Sequence, residues 1–226
     1  MVAEERRRQI IRVAVSLFAL HGFRGTTTKE IANAAGVSEA IIFRHFATKE
    51  DLYSAILDCC ACEGGVDPFE SMAEAFKGND DRAVFQALGL AVLNFHDENP
   101  EFQRLLLHSA LEGHELAQMF WDRTVMQTYE FLGGYVRRRQ AAGAFRAMDP
   151  MMVVRAFLGM LIHHSNNNNL WDKGRQILNI SNEQAVLEFT EILLRGTFSN
   201  AQINTESNFP SESEQHLCSI NSDLKS

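Results

Sequence analysis

Apolar residues recur at helical rather than strand spacing along most of the chain. Ile10, Val13, Ala14, Leu17, Phe18 and His21 share one face of a helix predicted over residues 4–21, and Gly22 and Gly25 stop it. Three helix starts follow. Thr27-Thr28-Lys29-Glu30 has the order of a capping box, in which the Thr27 hydroxyl takes the Glu30 amide proton and the Glu30 carboxylate reaches back. Ser38 is placed to cap a helix opening at Glu39, and Thr48 another whose first turn carries Glu50 and Asp51. Gly36 stands where the helix from Thr28 must end in a left-handed residue. Helix, the turn Gly36-Val37-Ser38 and a second short helix outline a helix-turn-helix, with Ile31, Ala35, Val37, Ile42, Phe46 and Leu52 as its core.

Beyond residue 63 the pattern lengthens. Gly64, Gly65, Asp67 and Pro68 break the helix that begins at Lys49, and amphipathic segments follow at 82–97, 100–110, 113–141, 150–166 and 183–197. Pro100 and Pro150 suit the first position of a helix, where a missing N–H costs nothing. Arg137-Arg138-Arg139 before Gly143 reads as a helix end, and Asn166–Asn169 reads as a polar loop. No run alternates with period two, which excludes a sheet from the expectation. Residues 199–226, rich in Ser, Asn and Glu, are expected to be a disordered tail.

Composition changes this picture in three respects. The net charge is −8, yet residues 1–57 carry eight Lys/Arg against six Asp/Glu, or +2, which leaves −10 for the remainder. An anionic partner therefore belongs at the N-terminal end. No apolar run approaches the ~18–20 residues that span a bilayer. The basic-then-apolar start mimics a signal peptide, but Glu4, Glu5 and Arg12 interrupt it, so a helix of a cytoplasmic protein is expected. Four cysteines suit reduced thiols; Cys59-x-x-Cys62 has metal-ligand spacing, Cys60 lies between them and Cys218 stands alone, but no second pair completes a zinc site. No metal or cofactor is expected.

Thr27-Thr28-Lys29-Glu30-Ile31-Ala32, Ala35-Gly36-Val37-Ser38, Ile42-Phe43-Arg44-His45-Phe46 and Lys49-Glu50-Asp51-Leu52 resemble the N-terminal domain of TetR/AcrR-type transcriptional regulators. The resemblance implies an all-α fold. A three-helix helix-turn-helix DNA-binding domain would occupy residues 1–57, with a linking helix at about 49–62, and a helical ligand-binding and dimerisation bundle would occupy 63–198. It further implies a homodimer on a palindromic double-stranded DNA operator, repressing transcription until a small, largely apolar effector releases it. The helix at 39–45 would enter the major groove. Thr27, Thr28, Lys29, Phe43, His45 and Lys49 would contact chiefly the phosphate backbone, and Ser38, Glu39, Ala40, Ile41 and Arg44 would face the bases. Phe43 departs from the tyrosine that family members often carry, and Glu39 is an unusual acid beside DNA. Arg44, able to pair bidentately with guanine, is the expected specificity determinant.

In the regulatory half, Phe95, Phe102, Leu106, Met119, Phe120, Met126, Tyr129, Phe157, Met160 and His163 form aromatic and sulfur-bearing stripes suited to an adaptable ligand site. His163 and His164 point in different directions on one helix, so one is expected inside and the other outside. The resemblance implies pairing of the last two long helices across a dimer, for which Val153, Phe157, Leu161, Leu187, Ile192 and Leu193 offer apolar surface. Two other classes compete: a redox or metal sensor through Cys59 and Cys62, and a helical enzyme or carrier with a vestigial DNA-binding domain. Against an enzyme, the chain has no phosphate-cradling glycine loop, nucleophile elbow or HExxH motif.

Overall fold

The computed structural model describes residues 3–63, 68–172 and 174–199, with backbone alone at 60–63 and 68–71. The side chains of Cys60 and Cys62, the glycine-rich break at 64–67, Cys218 and the segment 200–226 lie outside the described residues. Helix α1 (Ala3–His21) buries Ile10, Ile11, Ala14, Phe18 and Ala19. The short helix α2 (Thr28–Ala34) packs against α1 and against α3 (Glu39–His45), and α4 (Lys49–Glu63), packed on α1, closes this unit. Both bonds of the Thr27 capping box form. Thr48 and Asp51 make the same reciprocal pair at the start of α4, Thr48 N–H donating to Asp51 at 3.0 Å and Asp51 N–H to the Thr48 hydroxyl at 2.9 Å. Gly36 is left-handed at φ 66°. Its N–H and that of Val37 turn back to the carbonyls of Asn33 and Ala32, closing α2. Ser38 occupies the cap of α3, but its side chain makes no cap bond; its carbonyl accepts from Ile41 and Ile42 instead.

The second half contains α5 (Pro68–Gly78), α6 (Asp81–Glu98), α7 (Pro100–Glu112), α8 (Glu115–Phe120), α9 (Met126–Ala141), α10 (Pro150–Asn166) and α11 (Asn182–Thr197). Helix α5 was hidden behind the glycine and proline break; Met72 is its fully buried anchor. The segment expected as one helix over 113–141 instead opens at Glu115 and carries a π-helical turn, Trp121–Val125, between α8 and α9. The sole β contact among the described residues is an isolated bridge between Phe145 and Phe198.

Asn166–Asn169 is not a loop. Helix α10 runs through Asn166 into a second π-helical turn, Asn167–Trp171, which carries Asn168 and Asn169 inward. Asn168 is buried and lies 3.0 Å from His164 Nε2. Asn169 donates to Gln103 at 3.0 Å and to the His96 carbonyl at 3.3 Å. Asparagine composition suggested solvent; satisfied side-chain bonds make burial tolerable. His164 is inside and His163 exposed.

Two hydrophobic cores result, and their border does not follow chain order. One joins α5, α6, α9, α10 and α11 around Phe85, Tyr135 and Phe157. The other holds the four N-terminal helices and also takes Phe102, Leu105 and Leu116 from α7 and α8.

At the edge of the first core Asp81 accepts from the Tyr135 hydroxyl at 2.5 Å and from two nitrogens of Arg139 at 2.8 and 2.9 Å. Burial first, and the carboxylate next, push the Tyr135 phenol well above its ordinary range. The Asp81 and Arg139 side chains are only 7% and 13% exposed, so removing the acid strands a cation. Asp81→Ala is expected to lower stability by about 3–5 kcal/mol in urea unfolding. Glu74→Ala, at the exposed Lys77 pair, should leave the midpoint unmoved.

His96 and His164 are both held below the ordinary histidine range, chiefly by burial. The unfolded chain therefore takes up their protons more readily. Stability should be intact above about pH 6.5 and fall as the pH drops through that value. Thermal melts at pH 7.5 and 5.5, values chosen to bracket about pH 6.5, should show the loss, and His164→Asn should reduce it.

Candidate nucleic-acid interface

The front of the N-terminal unit is built from the first turns of α2 and α3. Thr27 is exposed, its N–H donating to Glu30 at 2.7 Å while its hydroxyl accepts from the Glu30 N–H at 3.2 Å. The Thr27 hydroxyl also donates to the Glu30 carboxylate at 2.9 Å, and the two bonds to that carboxylate, from the Thr27 N–H first and the hydroxyl second, hold it below its usual range. The Thr28 hydroxyl donates to the Glu39 carboxylate in a short hydrogen bond, tying the start of α2 to the start of α3. Lys29 is exposed beside them.

Along α3 the burial pattern separates two faces. Ile42 is buried, and Phe46 beyond it, whereas Ser38, Glu39, Ala40, Phe43 and Arg44 are exposed. Phe43 is 49% exposed on this outward face. Ile41 is half-buried against the N-terminal core, as is Val37. His45 is half-buried, its ring 6.3 Å from that of Phe46. Arg7 of α1 lies over the Phe46 ring at 5.2 Å, and Gln9 donates to the Ala35 carbonyl at 3.2 Å, so α1 braces the back of the turn.

Lys49 is placed differently from the rest. Its ammonium donates to the carbonyls of Phe23 and Thr26 at 2.7 and 2.9 Å and sits 3.9 Å from the Phe23 ring centre. Those carbonyls lie in the turn after α1, where, among the described residues, Phe23 otherwise accepts only a long bond from the Thr26 N–H at 3.5 Å, so the lysine supplies their strong donor. Phe23, Glu112 and His114, which complete this junction, were not singled out from the sequence; the left-handed Gly113 between the latter two is the local signal that a turn stands there.

The stripes of the regulatory half divide between the two cores. Phe95, Phe102, Leu106, Met119 and Phe120 belong to or pack on the N-terminal core. Tyr129, Phe157 and Met160 join the other; Met126 is half-buried at the start of α9 and His163 is exposed. They do not form one continuous lining. The expected dimer surface also needs correction. Val153, Phe157, Leu161 and Leu193 are buried within the chain's own core, because a ridge at i, i+4 and i+8 faces α6, α9 and α11. Leu187 and Ile192 are exposed, and with them Met152 and Ile162. Helix α10 is apolar on both faces, so periodicity alone could not choose between them.

An all-α chain with a capped helix-turn-helix carried on a larger helical body is the architecture of a bacterial transcription regulator. Comparison with known proteins agrees. The family described as "Bacterial regulatory proteins, tetR family" matches residues 10–56, and "AefR-like transcriptional repressor, C-terminal domain" matches 83–211. The chain belongs to the TetR/AcrR family of transcriptional regulators, whose members are regulators rather than enzymes.

Among curated relatives, the regulatory protein RaaS of Mycobacterium tuberculosis is 34% identical over 129 residues, 57% of this chain and 56% of that one. The regulator AcrR of Shigella flexneri is 34% identical over 105 residues, 46% of this chain and 47% of that one. The chain thus spans about half the length of the curated relatives it matches. Among solved structures, the TetR-family regulator PfmR of Thermus thermophilus aligns with a TM-score of 0.64 at 22% identity, over 82% of this chain and 97% of that one. AibR, solved with isovaleryl coenzyme A and operator DNA, aligns with a TM-score of 0.59 at 22% identity, over 84% and 98%. These likenesses establish a shared fold. Among the described residues no helix is long and apolar enough to cross a membrane.

Proposed function

We propose that the chain is a ligand-responsive, sequence-specific DNA-binding repressor that acts as a homodimer on a palindromic operator. The carrying observation is the exposed face of α3, where Glu39, Ala40, Phe43 and Arg44 stand clear of the core beside the N-terminus of α2. Thr27, Thr28 and Lys29 mark a phosphate contact there, its cation the exposed Lys29 ammonium at the start of α2; the threonine hydroxyls, bonded to Glu30 and Glu39 in this structure, would exchange those partners for phosphate oxygens. Ser38 and Ile41 flank the base-reading set, and His45 adds a donor toward the backbone. Lys49 serves by holding the turn behind α2. Phe43 meets the groove as an apolar surface. The operator DNA described for AibR supports the class of partner, and its isovaleryl coenzyme A supports a small-molecule effector without supporting an apolar one.

A small, largely apolar effector is supported by the half-buried Phe95, Leu106, Met119 and Phe120, which sit where α6, α7 and α8 meet the N-terminal core. An effector that favours one arrangement of these helices changes the separation of the two recognition helices. Half-sites one turn apart, about 34–36 Å, tolerate little such change. Dimerisation is supported by the exposed apolar side chains of Met152, Ile162, Leu187 and Ile192 on α10 and α11. These side chains would remain in water in a monomer.

Selection of bound DNA from a random pool, repeated with candidate acyl-thioester and steroid ligands, tests the reading directly; failure to enrich any sequence rejects it. On the selected operator, Arg44→Ala is expected to lose about 1–3 kcal/mol of discrimination at one base pair. Its binding to random DNA should change far less. Equal losses on both sequences would reassign Arg44 to the phosphate backbone. Ile192→Glu, which places a charge in the proposed seam, should shift sedimentation at micromolar concentration toward the monomer. A wild-type chain already monomeric there would remove both dimer and palindrome.

A further inference from the structure

The turn between α1 and α2 is held from both sides by groups of opposite charge. Phe23 donates its N–H to Glu112 at 3.2 Å and gives its carbonyl to Lys49 at 2.7 Å. Lys49 comes from the N-terminal unit, whereas Glu112 is the last residue of α7 in the regulatory half. Ring contacts repeat the grip. The Phe23 ring lies 4.2 Å from His114 and 4.9 Å from Tyr53, and His114 meets Tyr53 edge-on at 4.6 Å. The His114 side chain also caps α8, its Nδ1 accepting from Leu116 N–H at 3.3 Å. Gly22 makes room for the carboxylate: it is left-handed at φ 71°, and a Cβ there would fall 2.0 Å from Glu112 Oε1. The Thr26 hydroxyl closes the turn by donating to the Gly22 carbonyl at 2.9 Å. The next residue, Thr27, caps α2, so whatever sets the turn also sets the helix start offered to phosphate.

We infer that Glu112 and His114 are positioning residues for DNA binding: from the α7–α8 corner they clamp the Gly22–Thr26 turn against Lys49 and thereby fix how the helix-turn-helix is carried on the regulatory body. This rests on the DNA-binding reading above for its consequence, but not for its geometry. An N–H bonded to a carboxylate is among the stronger ties that a turn can make. The peptide that receives it is already fastened at its neighbour's carbonyl, so α7 cannot move away without either breaking the bond or carrying the start of α2 with it. The clamp therefore restricts the orientation of α3 relative to its copy in a dimer, which appears experimentally as sensitivity to half-site spacing.

Two readouts on the full chain test this. In hydrogen–deuterium exchange without DNA, Glu112→Ala should speed exchange at Phe23 and the first turn of α2 by about tenfold, while α10 and α11 keep their protection. On the selected operator, one inserted base pair displaces a half-site by about 3.4 Å and rotates it by about 35°. Relative to its own affinity for the unaltered operator, the wild-type chain should then lose about tenfold and Glu112→Ala less than about threefold. Glu112→Gln, which keeps an acceptor for the Phe23 N–H, should fall between them; it also replaces the alanine variant if that fails to fold. Glu115→Ala, which removes the neighbouring exposed acid, should match wild type. Unchanged exchange and an unchanged spacing penalty in Glu112→Ala would overturn the clamp, as would an equal effect from Glu115→Ala. If no DNA sequence is selected at all, the DNA-binding reading falls, and the exchange measurement alone decides the clamp.

Discussion

A single residue, Phe23, sits where the two halves of this chain are fastened. Its N–H is taken by an acid of the regulatory half and its carbonyl by a lysine of the N-terminal unit, and three aromatic side chains enclose its ring. Main-chain polar groups in a turn must be satisfied somewhere, and water is the usual partner. Here side chains of opposite sign supply both partners, which converts an ordinary connection into a joint. The Ser16 hydroxyl, donating to Glu101 at 2.6 Å, adds a second tie between α1 and α7 further along.

The arrangement explains why two acids stand at the front of a surface meant for an anion. Glu30 is fastened to the N–H and hydroxyl of Thr27, and Glu39 to the hydroxyl of Thr28. Each carboxylate lies at a helix start, where amides carry partial positive charge. Both acids thus act first inside the motif, stiffening the α2–α3 pair, and the cations that remain outward are Lys29 and Arg44.

What could be read from the sequence is what short-range chemistry dictates. The Thr27 capping box, the left-handed Gly36 and the buried Ile31, Ile42 and Phe46 follow from residues within a few positions of one another, and the fold shows all of them. The seating of Lys49 is not legible in the sequence because its partners, Phe23 and Thr26, are distant along the chain and only the closure of α4 under the turn brings them near. Asn168 and Asn169 looked like solvent-facing polar residues because their partners lie on α6, α7 and α10. The inward choice of Val153, Phe157 and Leu161 over Met152 and Ile162 depends on which neighbours α10 meets. For the same reason Glu112 left no mark in any pattern of hydrophobicity or charge: its importance is a matter of where α7 ends.

The π-helical turn at Trp121–Val125 has a mechanical consequence. It lets helical structure continue from Glu115 to Ala141, a rod of about 40 Å at ordinary helical rise, although its two ends belong to different cores. Leu116 is sunk in the N-terminal core, and Leu132, Tyr135 and Val136 in the regulatory one. The extra residue in the wide turn changes the angular phase along the rod, so each end can present its own apolar face to its own core. The two cores are thereby joined by one continuous helical element as well as by the joint at Phe23.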